Sequence, residues 1–301
     1  MKEQKKPQIK NLHPRNLHIH GYDFELLTKK EPFLEKYVIE TPYGRTSIDF
    51  ADPKAVKTLN KALLKTYYKI EYWDIADTNL CPPIPSRADY IHHIADEMIE
   101  NGEIPTGTKV KVLDIGTGAN LIYPILGVSE YDWTFVGSEC DKQAFKNANK
   151  LIERNKILNK NVTMRFQENK RFIFKNIIQE NEYFDFVICN PPFFKSKEEA
   201  LAKTVQKLTN LGKEVTETPV MNFSGQNNEL WYDGGEKAFI TSMIYESKHF
   251  RRQSVWFSTL VSQKENVKPL LKLLQKVEVK ESKVIDMNQG NKVSRILLWK
   301  F

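Results

Sequence analysis

From residue 110 onward the apolar positions fall into short strand-length runs separated by stretches with helical spacing. Val110 to Ile115 is one such run, followed by a glycine turn and a short helix. Thr134 to Ser138 is a second, after which Asp141 caps a helix predicted to reach about Lys156. Val162 to Phe166 and Phe184 to Cys189 are a third and a fourth, the last unusually apolar. Gly235 to Phe250 reads as a helix, Ser254 to Val261 as a fifth strand and Glu265 to Lys276 as another helix. Val277 to Asp286 and Lys292 to Phe301 then alternate around Asn288-Gln289-Gly290-Asn291, which predicts a terminal antiparallel hairpin. Strands alternating with helices predict an α/β fold, a doubly wound and mostly parallel sheet with helices on both faces. In such sheets ligands bind beyond the carboxyl ends of the strands, where the strand order reverses.

The pattern upstream differs. Asp52-Pro53 has the form of a helix start, and Val56, Leu59, Leu63, Tyr67 and Ile70 recur at helical spacing behind it. Cys81-Pro82-Pro83-Ile84-Pro85 interrupts regular structure and reads as a stiff linker, with a further helix from about Ala88 to Glu100. This divides a small, mainly helical N-terminal extension, residues 1–80, from a main domain over 81–301. Residues 195–230 are polar and Lys-rich without periodicity, the signature of a functional or disordered loop.

Charge adds a partner class. The 301 residues carry 45 Lys and Arg against 38 Asp and Glu, a formal net charge of +7 that favours a polyanionic partner. Residues 1–20 hold five of those cations against Glu3 alone, and three of the six histidines. Such a segment is either a solvated terminus or a basic arm that orders on nucleic acid. No apolar run approaches the length of a spanning helix, and Met1 to Lys10 lacks the apolar core of a signal peptide. Three scattered cysteines without a C-x-x-C pair argue against a disulfide framework or a zinc site, so a reducing cytoplasm is the expected setting. His92 and His93 are adjacent and not spaced as metal ligands on a helix.

Two constellations carry chemistry. Leu113-Asp114-Ile115-Gly116-Thr117-Gly118-Ala119-Asn120 closes the first strand with two glycines that let the backbone turn sharply against a ligand. The third glycine of a dinucleotide fingerprint is absent. Glu139 ends the next strand, 25 positions after Asp114, where an acid can accept both hydroxyls of a ribose. The second constellation is Cys189-Asn190-Pro191-Pro192-Phe193-Phe194, directly after the fourth strand. Its two prolines stiffen the chain and remove two N–H donors, leaving carbonyl acceptors beside the Asn190 side chain. Phe193 or Phe194 offers a flat face for a base. Acceptors beside an aromatic plane suit the exocyclic amine of a heterocycle; the plain alternative is a proline turn with core phenylalanines. Trp231 and Tyr232 either line a base pocket or pack in the core. Lys195 and Lys197 either track phosphates or cover a solvated helix face, and Asp185, mid-strand, is expected to be structural.

These residues resemble class I methyltransferases that use S-adenosylmethionine and methylate amino nitrogens. The resemblance narrows at Asn11-Leu12-His13-Pro14-Arg15-Asn16, at Ile84-Pro85-Ser86-Arg87-Ala88-Asp89-Tyr90-Ile91-His92, at Ile122-Tyr123-Pro124 and at Asp233-Gly234-Gly235-Glu236. Over nearly the whole chain the sequence is similar to the bacterial ribosomal RNA large-subunit methyltransferase F family, relatives of the eukaryotic methyltransferase-like 16 enzymes. Ser86 and Cys140 depart from that family's pattern, by a smaller residue and by a broken acidic pair. The resemblance implies N6 methylation of one adenosine in 23S ribosomal RNA, free or in a precursor particle, by a monomer that needs S-adenosylmethionine and no metal. It implies Arg87, Asp114, Gly116, Gly118, Glu139 and Asn190 at the cofactor, and Asn190, Pro191, Pro192 and Phe193 at the transfer. Arg15, Phe194, Lys195 and Lys197 become the candidate RNA contacts. Methylation of DNA adenine or protein glutamine, and a non-catalytic ribosome-assembly role, are the competing expectations.

Overall fold

A computed structural model describes residues 12–77, 79, 81–196, 198–199, 231–289 and 292–301. Its sheet has seven strands in the order β5-β4-β3-β6-β7-β9-β8. These are β3 (Lys111–Ile115), β4 (Thr134–Glu139), β5 (Val162–Phe166), β6 (Phe184–Cys189), β7 (Ser254–Val261), β8 (Glu281–Gln289) and β9 (Lys292–Lys300). The first five pair in parallel, and β9 runs antiparallel to both β7 and β8. The chain leaves β3 toward β4 and β5, then returns to β6 on the other side of β3. The order therefore reverses between β3 and β6, and this is where the sheet opens for a ligand.

Alternation along β6 divides the core. Phe186 and Ile188 face one layer while Val187 and Cys189 face the other. The second layer is closed by α7 (Gly235–Ser247) and α8 (Lys264–Lys276), through Ile240, Met243, Leu270 and Leu274. The first is closed by α3 (Ile84–Glu97), α4 (Ile122–Tyr131), α5 (Lys142–Glu153) and α6 (Lys156–Asn161). The same apolar core continues into the upstream elements through Leu27, Leu34, Leu59 and Leu63. Those elements are α1 (Phe24–Lys30), a 3-10 turn, the short hairpin β1 (Val38–Glu40) and β2 (Thr46–Ile48), and α2 (Pro53–Tyr67), whose cap Asp52 accepts from the Lys54 amide.

Three expectations are corrected. The helix expected from Ala88 begins at Ile84, with Pro85 in its first turn, where a missing N–H costs nothing. The helix after Asp141 stops at Glu153 because Asn155 turns its amide to the backbone of Glu71, Tyr72 and Leu151. The basic arm is folded from Leu12 onward, where either a solvated terminus or ordering on nucleic acid was expected. His13 bonds Asp96 at 2.9 Å, Asn16 bonds Asp89 and the Pro85 carbonyl, and His18 bonds the Tyr68 hydroxyl at 2.8 Å. Polar partners on α2 and α3 thus supply what apolar burial does not. The rest of the arm and most of the 195–230 segment lie outside the described residues.

Candidate active site

The carboxyl ends of β3, β4 and β6 open onto a cavity of about 290 Å³. Ile115 and Gly116 enter it from β3, Ser138 and Glu139 from β4, and Cys189 and Asn190 from β6. Gly116 and Gly118 take φ of +69° and +70°, the left-handed region that a side chain makes costly. A Cβ at Gly116 would meet no protein atom within 4 Å, so the turn and the adjoining cavity, not packing, call for glycine there. In contrast, a Cβ at Gly137 in β4 would meet Met164 Sδ at 2.5 Å and Thr117 Oγ1 at 2.7 Å, which lets the glycine loop sit tight on its neighbour strand. The upstream region clamps the same loop: Trp73 Nε1 donates to the Asn120 carbonyl at 2.9 Å, and Asn147 bridges the carbonyls of Asp74 and Ala119.

Glu139 is buried at the end of β4. Its carboxylate accepts from the amides of Gly118 at 2.9 Å, Cys140 at 2.7 Å and Asp141 at 2.8 Å. Burial raises its pKa, and those three amides oppose the rise. A carboxylate has about four acceptor sites, so capacity remains on the cavity side. Arg87, on α3, is 9% exposed and lies over the Tyr123 ring at 5.8 Å, and no described carboxylate pairs with it. A buried guanidinium without an anion calls for one from a ligand. Asp114, at the end of β3 beneath the loop, is pushed up to about 7 by burial, which the Thr117 hydroxyl opposes and nearby Glu139 reinforces.

On the β6 side, Asn190 and Pro192 line the cavity. Asn190 Oδ1, Tyr123 OH and Trp231 Nε1 are buried without a partner among the described residues, and all three residues line this cavity. The corner is held from the far side: Phe194 forms a parallel bridge with Trp231, and Tyr90 OH, bonded to Ser258 Oγ at 2.8 Å, reaches the Cys189 amide at 3.4 Å. Unpaired buried polar atoms are scarce in folded proteins, and their concentration here marks a ligand surface.

The structure therefore brings Arg87, Gly116, Gly118, Glu139, Asn190 and Pro192 around one cavity. Asp114, Pro191, Phe193 and Phe194 support it without lining it. Lys195 is exposed, its amide bonded to Glu199, and Lys197 lies outside the described residues. Arg15 stands apart, its guanidinium occupied by Asp96 at 2.7 Å, Tyr131 OH and the His92 carbonyl. Glu236 is structural, accepting from Ser262, Gln263 and Asn266, and so is Asp185, which accepts from the Lys111 amide. Gln167, Lys170 and Phe172, from the irregular segment after β5, line the cavity with no periodicity or motif that would have singled them out. His13, His93 and Asp96 stand at metal-ligand spacing, but Asp96 is already bonded by His13 and Arg15.

A sheet that reverses its order at a glycine turn, with a strand-end acid on one side and an Asn-Pro-Pro corner on the other, defines a class I methyltransferase. The profile of an RNA methyltransferase family matches residues 6–301, and the chain belongs to that family. A Flavobacterium johnsoniae protein named "Ribosomal RNA large subunit methyltransferase F" is 53% identical, over 100% of this chain and 96% of its own length. A protein of the same name from Pseudoalteromonas translucida is 48% identical over 96% of this chain and 93% of its own. The catalytic domain of human METTL16, solved with a MAT2A 3'UTR hairpin, superposes with a TM-score of 0.79 at 30% identity, covering 97% of this chain and 98% of that one. The N-terminal domain of human METTL16 solved with SAH gives 0.76 at 27% identity, covering 97% and 99%. The cofactor is S-adenosylmethionine. Among the described residues no helix is long and apolar enough to cross a membrane.

Proposed function

We propose that this enzyme transfers a methyl group to the N6 amine of one adenosine in large-subunit (23S) ribosomal RNA, free or within a precursor particle. The observation that carries this reading is Asn190 Oδ1, a buried acceptor without a donor among the described residues, in one cavity with Arg87 and Glu139. The names borne by relatives over nearly the full chain support ribosomal RNA as the substrate. The reading includes a monomer in the cytoplasm, with residues 1–80 as an RNA-binding extension.

S-adenosylmethionine, when bound, supplies an electrophilic methyl group on a sulfonium. Arg87, whose guanidinium lies over the Tyr123 ring, would hold its carboxylate with two parallel N–H donors. Glu139 would accept from its ribose hydroxyls, and Gly116 and Gly118 would let the backbone lie along it. At the amine, Asn190 Oδ1 would accept one hydrogen, and a main-chain carbonyl of the proline corner, placed by the sequence at Pro191, the other. Adenine N6 is a poor nucleophile because its lone pair is delocalised into the ring. Acceptors on both hydrogens favour a tetrahedral nitrogen and stabilise the positive charge that develops there. Holding the amine in line at about 3 Å supplies much of the remaining acceleration. The base must leave its stack to reach this corner, which is cheapest in an unpaired RNA segment.

Label transfer from methyl-labelled cofactor to unmodified ribosomal RNA, to DNA and to release-factor protein tests the reading. Label at adenosine N6 in RNA is expected; label in protein or DNA alone contradicts it.

A further inference from the structure

Trp231 closes the cavity from the α7 side and is anchored in both directions along the chain. Upstream it forms the bridge with Phe194, and the Tyr232 amide donates to the Phe194 carbonyl at 3.0 Å. Downstream, Gly235 turns at φ +72°, and Glu236 ties the start of α7 to Ser262 and Asn266. The Tyr232 ring is held edge-on against Phe239 at 5.2 Å. The indole is thus fixed beside the proline corner before any ligand arrives. Among the described residues its buried Nε1 has no acceptor, and buried Asn190 Oδ1, lining the same cavity, has no donor. An indole N–H can only donate and an amide oxygen can only accept. Beside the proline corner the cavity therefore presents an unmatched donor on Trp231 and an unmatched acceptor on Asn190.

We infer that Trp231 determines which base is accepted: its indole N–H donates to the ring nitrogen that flanks the target amine, while Asn190 accepts from the amine itself. This rests on the adenine reading of the site and adds to it. Adenine offers the required pair on either edge, N6–H beside N1 or N6–H beside N7. Guanine places a carbonyl where the amine stands, and uracil does the same, so each turns an acceptor toward Asn190 Oδ1. Cytosine carries an amine beside a ring nitrogen, so the indole and Asn190 read that pair of groups while the rest of the cavity measures the size of the base. A site built to pair with a substrate group rejects the analogue that lacks it, because its own buried group is then left alone.

The test compares wild type with Trp231→Phe, which keeps the flat ring and removes the N–H. Single-turnover methyl transfer is measured on RNA carrying adenosine, 1-deazaadenosine or 7-deazaadenosine at the target position. Wild type should lose about tenfold or more on the analogue that lacks the acceptor. Trp231→Phe should lose a similar factor on adenosine and nothing further on that analogue, so that the two changes do not add. S-adenosylhomocysteine binding by calorimetry reports on each protein's fold. If Trp231→Phe does not fold, the wild-type series alone decides, and equal rates on all three bases overturn the inference. It is also overturned if the variant discriminates as sharply as wild type, whatever its cofactor affinity. Failure of the adenine reading looks different: the unmodified RNA takes up no label at adenosine N6, and both conclusions then fall.

Discussion

The two ends of the central strands handle polar groups in opposite ways. At the start of β3, Lys111 gives its amide to Asp185 and its ammonium to Glu182. Arg165 grips the same Glu182 through both terminal nitrogens. Burial would raise the Glu182 pKa, but the two cations outweigh it and hold the carboxyl at about 2. At the other end, Tyr123, Asn190 and Trp231 bury polar atoms that find no partner among the described residues. Burial sends Asp114 the other way, up to about 7. The Glu182 and Asp114 side chains are both buried, so burial does not separate structure from function in this sheet. Completeness of pairing does.

The contrast breaks most sharply at Asn190. Asn190→Ala should cut the single-turnover methyl transfer rate by about 100- to 1000-fold, the scale for losing a preorganised partner of developing charge. An unchanged rate would remove the proline corner from the chemistry. Arg87→Leu should weaken S-adenosylhomocysteine binding by about 10- to 100-fold in calorimetry, the value of a charge-assisted pair in a buried site.

The two carboxylates should respond with opposite signs. Glu182 has a depressed pKa, so its contribution is present above its usual 4.5 and is lost as pH falls through about 2. Glu182→Gln should lower the melting temperature at pH 7 by about 2–4 °C, with the deficit shrinking as pH falls below 4.5. Asp114 has a raised pKa, so the stability it contributes is present below its usual 3.8 and is lost as pH rises through about 7. Asp114→Asn should therefore melt higher than wild type in cofactor-free protein at pH 8, by about 1–2 °C, and that advantage should shrink as pH falls from about 7 toward 3.8. Melting curves across that range check both signs, and a destabilised Asp114→Asn at pH 8 would put Asp114 on the structural side of the comparison.

Much of this was legible in the chain, and the gaps have physical causes. β5, β6 and β7 have the expected limits, β5 because its apolar residues alternate with polar ones and β6 and β7 because each is a largely apolar run. The glycine turn and the Asn-Pro-Pro corner could be read because their backbone demands restrict the residue types. β1 and β2, with three residues each, carry too little periodicity to register. The folding of His13, Asn16 and His18 depends on Asp96, Asp89 and Tyr68, 50 to 83 positions away, which no local pattern reveals. Tyr123 and Trp231 share the composition of core aromatics; their unpaired polar atoms, visible only in three dimensions, set them apart.

The central claim is that the unsatisfied end of the sheet methylates an adenine amine in ribosomal RNA. Mapping N6-methyladenosine across large-subunit ribosomal RNA, in cells with the gene, without it, and complemented by Asn190→Ala, tests it most directly. One position should lose its methyl group on deletion, regain it with the wild-type gene and stay bare with the variant. Identical maps in all three strains would contradict it.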